Sequence, residues 1–130
     1  MKAQAATEYL IMVGVGLLII TTIFYYTMQY SSESISINQA QETTETIAIA
    51  ADYVYSLGQG SKTRVVVQIP ERVIDSYVEN NEIGLKVSLR SGIIDVFSVT
   101  KGTVSGNIPT FSGRHYIFLN MTDTGVFIWT

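Results

Sequence analysis

The 130-residue chain has no cysteine, two prolines and a single histidine. Without thiols there are no disulfides, thiolate zinc sites, iron–sulfur clusters or thiol nucleophiles. The lone imidazole, His115, falls in a segment that reads as a strand. With no second imidazole it is taken as a structural residue, and no metal or other cofactor is expected. A Ser/His/Asp triad built on it would lack any nucleophile elbow. Proline is absent before Pro70 and glycine is absent between Gly16 and Gly58, so nothing interrupts a helix across that stretch. Charge is scarce as well, at 15% of residues, with 11 acidic against 8 basic side chains and a formal charge of -3. That balance argues against a nucleic-acid binder relying on a basic surface. The length allows one domain with an appended segment and excludes a large multidomain enzyme.

What the chain has in abundance is apolar surface: 47% hydrophobic residues and a mean hydropathy of +0.27. It is unevenly spread. From Tyr9 to Ser32 no residue is charged, 24 positions bounded by Glu8 and Glu33. A helix of that length spans roughly 36 Å, against about 30 Å of bilayer hydrocarbon. Its apolar residues, Tyr9, Leu10, Ile11, Met12, Val13, Leu17, Leu18, Ile19, Ile20, Ile23 and Phe24, surround the helix instead of striping it. A secretory signal peptide would have a longer basic start, a shorter apolar run and a small-residue cleavage site after it. Phe24-Tyr25-Tyr26 supplies no such site, so the helix is expected to persist in the product. Lys2 before the run and Glu33 after it suggest a cytoplasmic N-terminus. Glu8, at the threshold of the run, is costly to immerse without a partner. Two readings stand: it stays among headgroups and favours the first helical turn, or it meets a cation when the helix packs among copies of itself.

The segment Gln4-Ala5-Ala6-Thr7-Glu8-Tyr9-Leu10 behind the short basic start Met1-Lys2-Ala3 resembles the class III signal peptide of archaeal type IV pilin-like proteins. Ala3 stands where that family usually has Gly. The resemblance implies a leader of residues 1–3, cut between Ala3 and Gln4 by a prepilin-type peptidase on the cytoplasmic side. It also implies an assembly ATPase, a membrane platform, and a pilin subunit whose N-terminal helix forms a filament core. Cutting there creates an amine on Gln4 that Glu8 of a neighbouring subunit would pair with to set register, unless Gln4 cyclises to pyroglutamate.

Beyond the neutral run the composition turns to Ser, Thr, Gln, Glu and Ala. Ile37, Ala40, Thr44, Ile47, Ala51 and Val54 recur at three and four residues, a seam on one helical face. The seam covers either the rest of the chain or a neighbouring subunit. No base occurs between Ala3 and Lys62. The helix is expected over residues 4–57, a membrane or filament-core half at 4–30 and an amphipathic half at 31–57, about 80 Å in all. Leu57-Gly58-Gln59-Gly60 ends it, and residues 58–62 read as a linker. Gly58 to Thr63 superficially evokes a phosphate loop, but the order is wrong and it follows a helix.

Residues 63–130 read as a β-rich head. Ile83, Leu85, Val87 and Leu89 alternate with polar or small residues, and Ser91-Gly92 is a credible two-residue turn into Ile93–Val99. This register sets Leu89, Val87 and Leu85 against Ile94, Val96 and Ser98. Arg64–Ile69, Arg114–Asn120 and Val126–Trp129 are further strands, the last two joined at Thr122-Asp123-Thr124-Gly125. Glu71–Asn80 fits either a helix start or a strand end. Asn120-Met121-Thr122 is an N-x-[ST] glycosylation triplet, expected at a hairpin tip outside the membrane.

The fold class expected is α+β: a long N-terminal hydrophobic helix packed at its C-terminal half on a small antiparallel sheet, the lollipop-shaped pilin architecture. The function expected is a homopolymeric extracellular pilus-like filament, for adhesion, from a precursor held in the cytoplasmic membrane with its head outside. An uncleaved single-pass surface protein with an adhesin, binding or accessory head is the alternative. An enzyme would need a catalytic pair and a cleft, for which a head this small has little room.

Overall fold

The computed structural model describes residues 1–130, which fall into two compact units, Met1–Ser34 and Ile35–Thr130. Helix α1 (Lys2–Leu57) begins the chain. In the first unit every residue from Met1 to Met28 is exposed apart from the half-buried Gly16. The second unit combines the rest of α1 with seven strands: β1 (Lys62–Ile69), β2 (Val73–Glu79), β3 (Glu82–Leu89), β4 (Gly92–Val99), β5 (Val104–Gly106), β6 (Gly113–Thr122) and β7 (Gly125–Trp129). The architecture is α+β, as expected.

Two sheets, not one, share the core. A four-stranded sheet runs β1-β6-β7-β5 and a three-stranded sheet β2-β3-β4. The first is mixed, because β5 pairs with β7 in parallel. Alternation places Val65, Val67 and Ile69 of β1 on the same face as Ile117 and Leu119 of β6. The second sheet contributes Ile83, Leu85 and Val87, each fully buried. The helical seam shares this core: Ala40, Ile47, Ala51 and Val54 are buried, and Ile37 is half-buried at its near end. The seam therefore packs within its own chain. Thr44, also fully buried, has its hydroxyl satisfied twice, donating to the Gln41 carbonyl at 3.0 Å and accepting from Ser98 at 3.1 Å. Thr43 donates to the Gln68 carbonyl at 2.9 Å, tying α1 to β1.

Several boundaries differ from the expectation for physical reasons. Residues 71–80 contain β2, whose period of two is hidden by a bulge between Val73 and Asp75. The bulge lets Val73 and Val78, an odd separation apart, both face inward. The β3–β4 turn is Arg90-Ser91, with Leu89 opposite Gly92, so Val87 faces Ile94 and Leu85 faces Val96. The expected pairing is displaced by two residues, which preserves the faces. Gly92, at φ 138°, serves as the first residue of β4 and not as part of the turn. The 58–62 connection is a hydrogen-bonded corner that already includes the first residue of β1. Ser61 Oγ donates to the Val54 carbonyl at 2.9 Å, and Gly60 N and Met121 N cross-bond the corner to β6.

Because the seam faces inward and Ile49 faces out at 63% exposure, their truncations should differ sharply. Ile47→Ala is expected to cost about 2–5 kcal/mol, and Ile49→Ala no more than about 0.5 kcal/mol. Chemical denaturation of the full chain in detergent measures both; equal costs would mean that the helical phase is wrong.

Candidate functional site

In the first unit, the site is a surface without cover. Leu10, Leu18 and Ile20 are 73%, 70% and 63% exposed, and nothing of the apolar window is buried. By length and composition this part of α1 is able to cross a membrane, and it is compatible with membrane anchoring. Tyr9, Ile11, Met12, Val13, Leu17, Ile19, Ile23 and Phe24 share the exposure. The threonines within it keep no free hydroxyl proton. Thr21 donates to the Leu17 carbonyl and Thr22 to the Leu18 carbonyl, both at 2.8 Å, and Thr27 to the Ile23 carbonyl at 2.9 Å. A hydroxyl bonded to the preceding turn enters an apolar medium at much lower cost than one left open.

Ala3, Gln4 and Glu8 all lie in the exposed first turns of α1. Gln4, Glu8 and Met12 follow at i, i+4 along one face. Glu8 has no ion pair in its own chain. The Ala3 carbonyl, part of the Ala3–Gln4 peptide, accepts the Thr7 hydroxyl at 2.9 Å.

Asn120 is not at a hairpin tip. It lies within β6, paired to Lys62 on one side and Phe127 on the other, because β6 continues to Thr122. Its Oδ1 is buried and has no hydrogen-bond partner. The tip is Asp123-Thr124, between the paired Thr122 and Gly125. Around Asn120 the outer face of the four-stranded sheet carries aromatic residues. Trp129 stacks between Phe118 and Phe127, each at 5.8 Å, and the Arg64 guanidinium lies 5.2 Å from the Tyr116 ring centre.

Among groups with chemistry, His115 Nε2 lies 2.9 Å from the Phe111 carbonyl, a structural contact. No group of three or more metal-ligating side chains occurs. The Gly58–Gly60 corner adjoins a helix C-terminus, whose carbonyls repel a phosphate. A recess of about 420 Å³ beside α1 and β1 is lined by Glu42, Thr43, Gln68 and Arg114, among others.

The most perturbed titrating group is Tyr77, on the outer face of the three-stranded sheet. Its ring lies across Gly84, where a Cβ would collide with it. The phenol donates to Asp95 at 3.1 Å. Partial burial, the hydrogen bond to Asp95 and that carboxylate's charge, with Glu82 and Glu79 behind, push its pKa up to about 12. Folding thus favours the protonated phenol. Its small contribution to stability is complete below pH 10.0 and is lost as pH rises through about 12. Difference titration against Tyr77→Phe is expected to place this phenolate near pH 12, and Asp95→Asn to bring it down. A Tyr77 that titrates at the ordinary 10.0 would refute the contact.

No protein-family model, curated protein or solved structure matches this chain.

Proposed function

We propose that this chain is a structural subunit of an extracellular filament of the type IV pilin-like kind, serving adhesion. The supporting observation is the neutral stretch of α1 without cover in its own chain, placed directly after Gln4-x-x-x-Glu8. In this reading residues 9–32 hold the precursor in the cytoplasmic membrane with the β-rich part outside. A peptidase removes Met1-Lys2-Ala3, and a separate ATPase and membrane platform draw the helices into a bundle of copies.

Lipid and bundle are both apolar, so transfer between them yields little from burial alone. Packing repeated along the polymer, together with work from the ATPase, drives the step. Glu8 then pairs with the new amine of Gln4 on a neighbour. Such a pair is costly to desolvate, and its value lies in penalising misplaced subunits. Cyclisation of Gln4 to pyroglutamate removes that amine and leaves Glu8 to another donor.

One observation favours a second reading, an uncleaved membrane-anchored surface protein. The Ala3–Gln4 bond lies inside α1, with its carbonyl held by Thr7, so cleavage requires the first turn to unwind. Terminal turns fray at low cost, which keeps this obstacle small.

Mass analysis of material shed from the cell surface distinguishes the two. The filament reading expects a chain beginning at Gln4 or its cyclised form; Met1 retained in detergent-soluble protein, with no filaments, favours the anchor. Glu8→Ala is expected to leave subunits stranded in the membrane and to abolish visible filaments. Normal assembly of that variant would dismiss the register role.

A further inference from the structure

The charges of the second unit are sorted by element. On α1, Glu42, Glu45, Ile49 and Tyr53 follow at three, four and four residues, and Ile35 falls on the same line. This stripe is opposite the buried seam. Ile35, Ile49 and Tyr53 are 51%, 63% and 57% exposed, and neither Glu42 nor Glu45 has an ion pair in its own chain. No base lies anywhere on α1 after Lys2. The outer face of the four-stranded sheet has the opposite character. Lys62 and Arg64 of β1 and Arg114 of β6 share it with Val66, Tyr116, Phe118, Phe127 and Trp129. None of β1, β6 or β7 contains an acidic residue. Val66, Tyr116 and Phe127 remain open to solvent. Arginine with aromatic residues, depleted of acid, is the composition of an interface centre.

We propose that this basic aromatic sheet face docks the acidic outer stripe of α1 from a second copy of the chain. The occupant follows from charge and shape: the stripe offers two carboxylates beside two large apolar side chains, the complement of the sheet face. The two patches adjoin, since Glu42 and Arg114 line one recess, but they share no residue. Where the stripe of one copy enters one neighbour and its sheet face receives the stripe of another, the contact is heterologous and repeats as a ring or an open helical array; a two-fold exchange of both contacts stops at a dimer. The inference deepens the filament reading and rests on it for its biological setting, though not for its geometry.

The absence of native cysteine gives a clean test in the full-length chain. Ile49→Cys and Val66→Cys copies, mixed in detergent and in assembled material, are expected to form the mixed disulfide well above the 49–49 and 66–66 species. Glu42→Lys with Glu45→Lys in the first copy is expected to lower that product several-fold, and Lys62→Glu with Arg64→Glu in the second to restore it. Far-ultraviolet circular dichroism checks that each variant is folded.

Homodimeric links alone, or a mixed link indifferent to the charge exchange, overturn the proposal. So does binding of the Lys62–Arg64 face to anionic lipid vesicles without the mixed link, or a glycan on Asn120, which shares this face. Filaments that form normally from charge-reversed subunits defeat the docking and spare the filament reading. A charge-dependent mixed link in a chain that never forms filaments does the converse.

Discussion

The structure depends on one imbalance: away from its ends α1 satisfies its own backbone, but it has cover for its side chains over only part of its length. From Ile35 onward the seam shares the core of two sheets. Before Ser34, apolar side chains face outward on all sides. Water tolerates scattered apolar groups but not a continuous apolar helix of this length. The environment must therefore supply what the chain does not, and only lipid or other protein can do so. The threonine hydroxyls, closed onto carbonyls of the preceding turn, suit the helix to either.

The second unit solves a different problem. Two small sheets each have an apolar inner face, and one helix must serve both. Small seam residues, Ala40, Ala48 and Ala51, bring the α1 backbone close, while Ile47 and Val54 fill the core between. Thr43 and Thr44 fix the helix to β1 and β4 by hydrogen bonds in a core that is otherwise apolar. The polar strand edges are tied by similar means: Asn80 and Asn81 accept from Val104 and Thr100 through backbone carbonyls, at 2.6 Å and 2.7 Å.

Much of this was legible in the sequence. The neutral run, the helical seam, the stop at Gly58 and the alternation of β3 each rest on local chemistry that the fold keeps. What escaped was set by pairing between distant segments. The bulge in β2 exists because Val73 and Val78 must both face the core, which no local pattern announces. The parallel partner of β5 lies at the far end of the chain, where Gly106 pairs with Ile128 at a φ of 124° and a close approach to the Ile128 carbonyl that admits no side chain. From the sequence Asn120 reads as the last residue of a strand, at a hairpin tip; the ladder extends two residues further, with Thr122 opposite Gly125. The division of charge between α1 and the outer sheet face was half visible, as a helix without bases. Its complement appeared only when β1 was found beside β6.

The account's central claim is that residues 9–32 find their cover in copies of themselves. Electron cryomicroscopy of filaments from the cell surface tests it most directly. The account predicts this chain as the repeating subunit, with the neutral half of α1 packed at the axis against the same segment of its neighbours. Filaments in which that segment is absent, or in which it faces solvent, would contradict it.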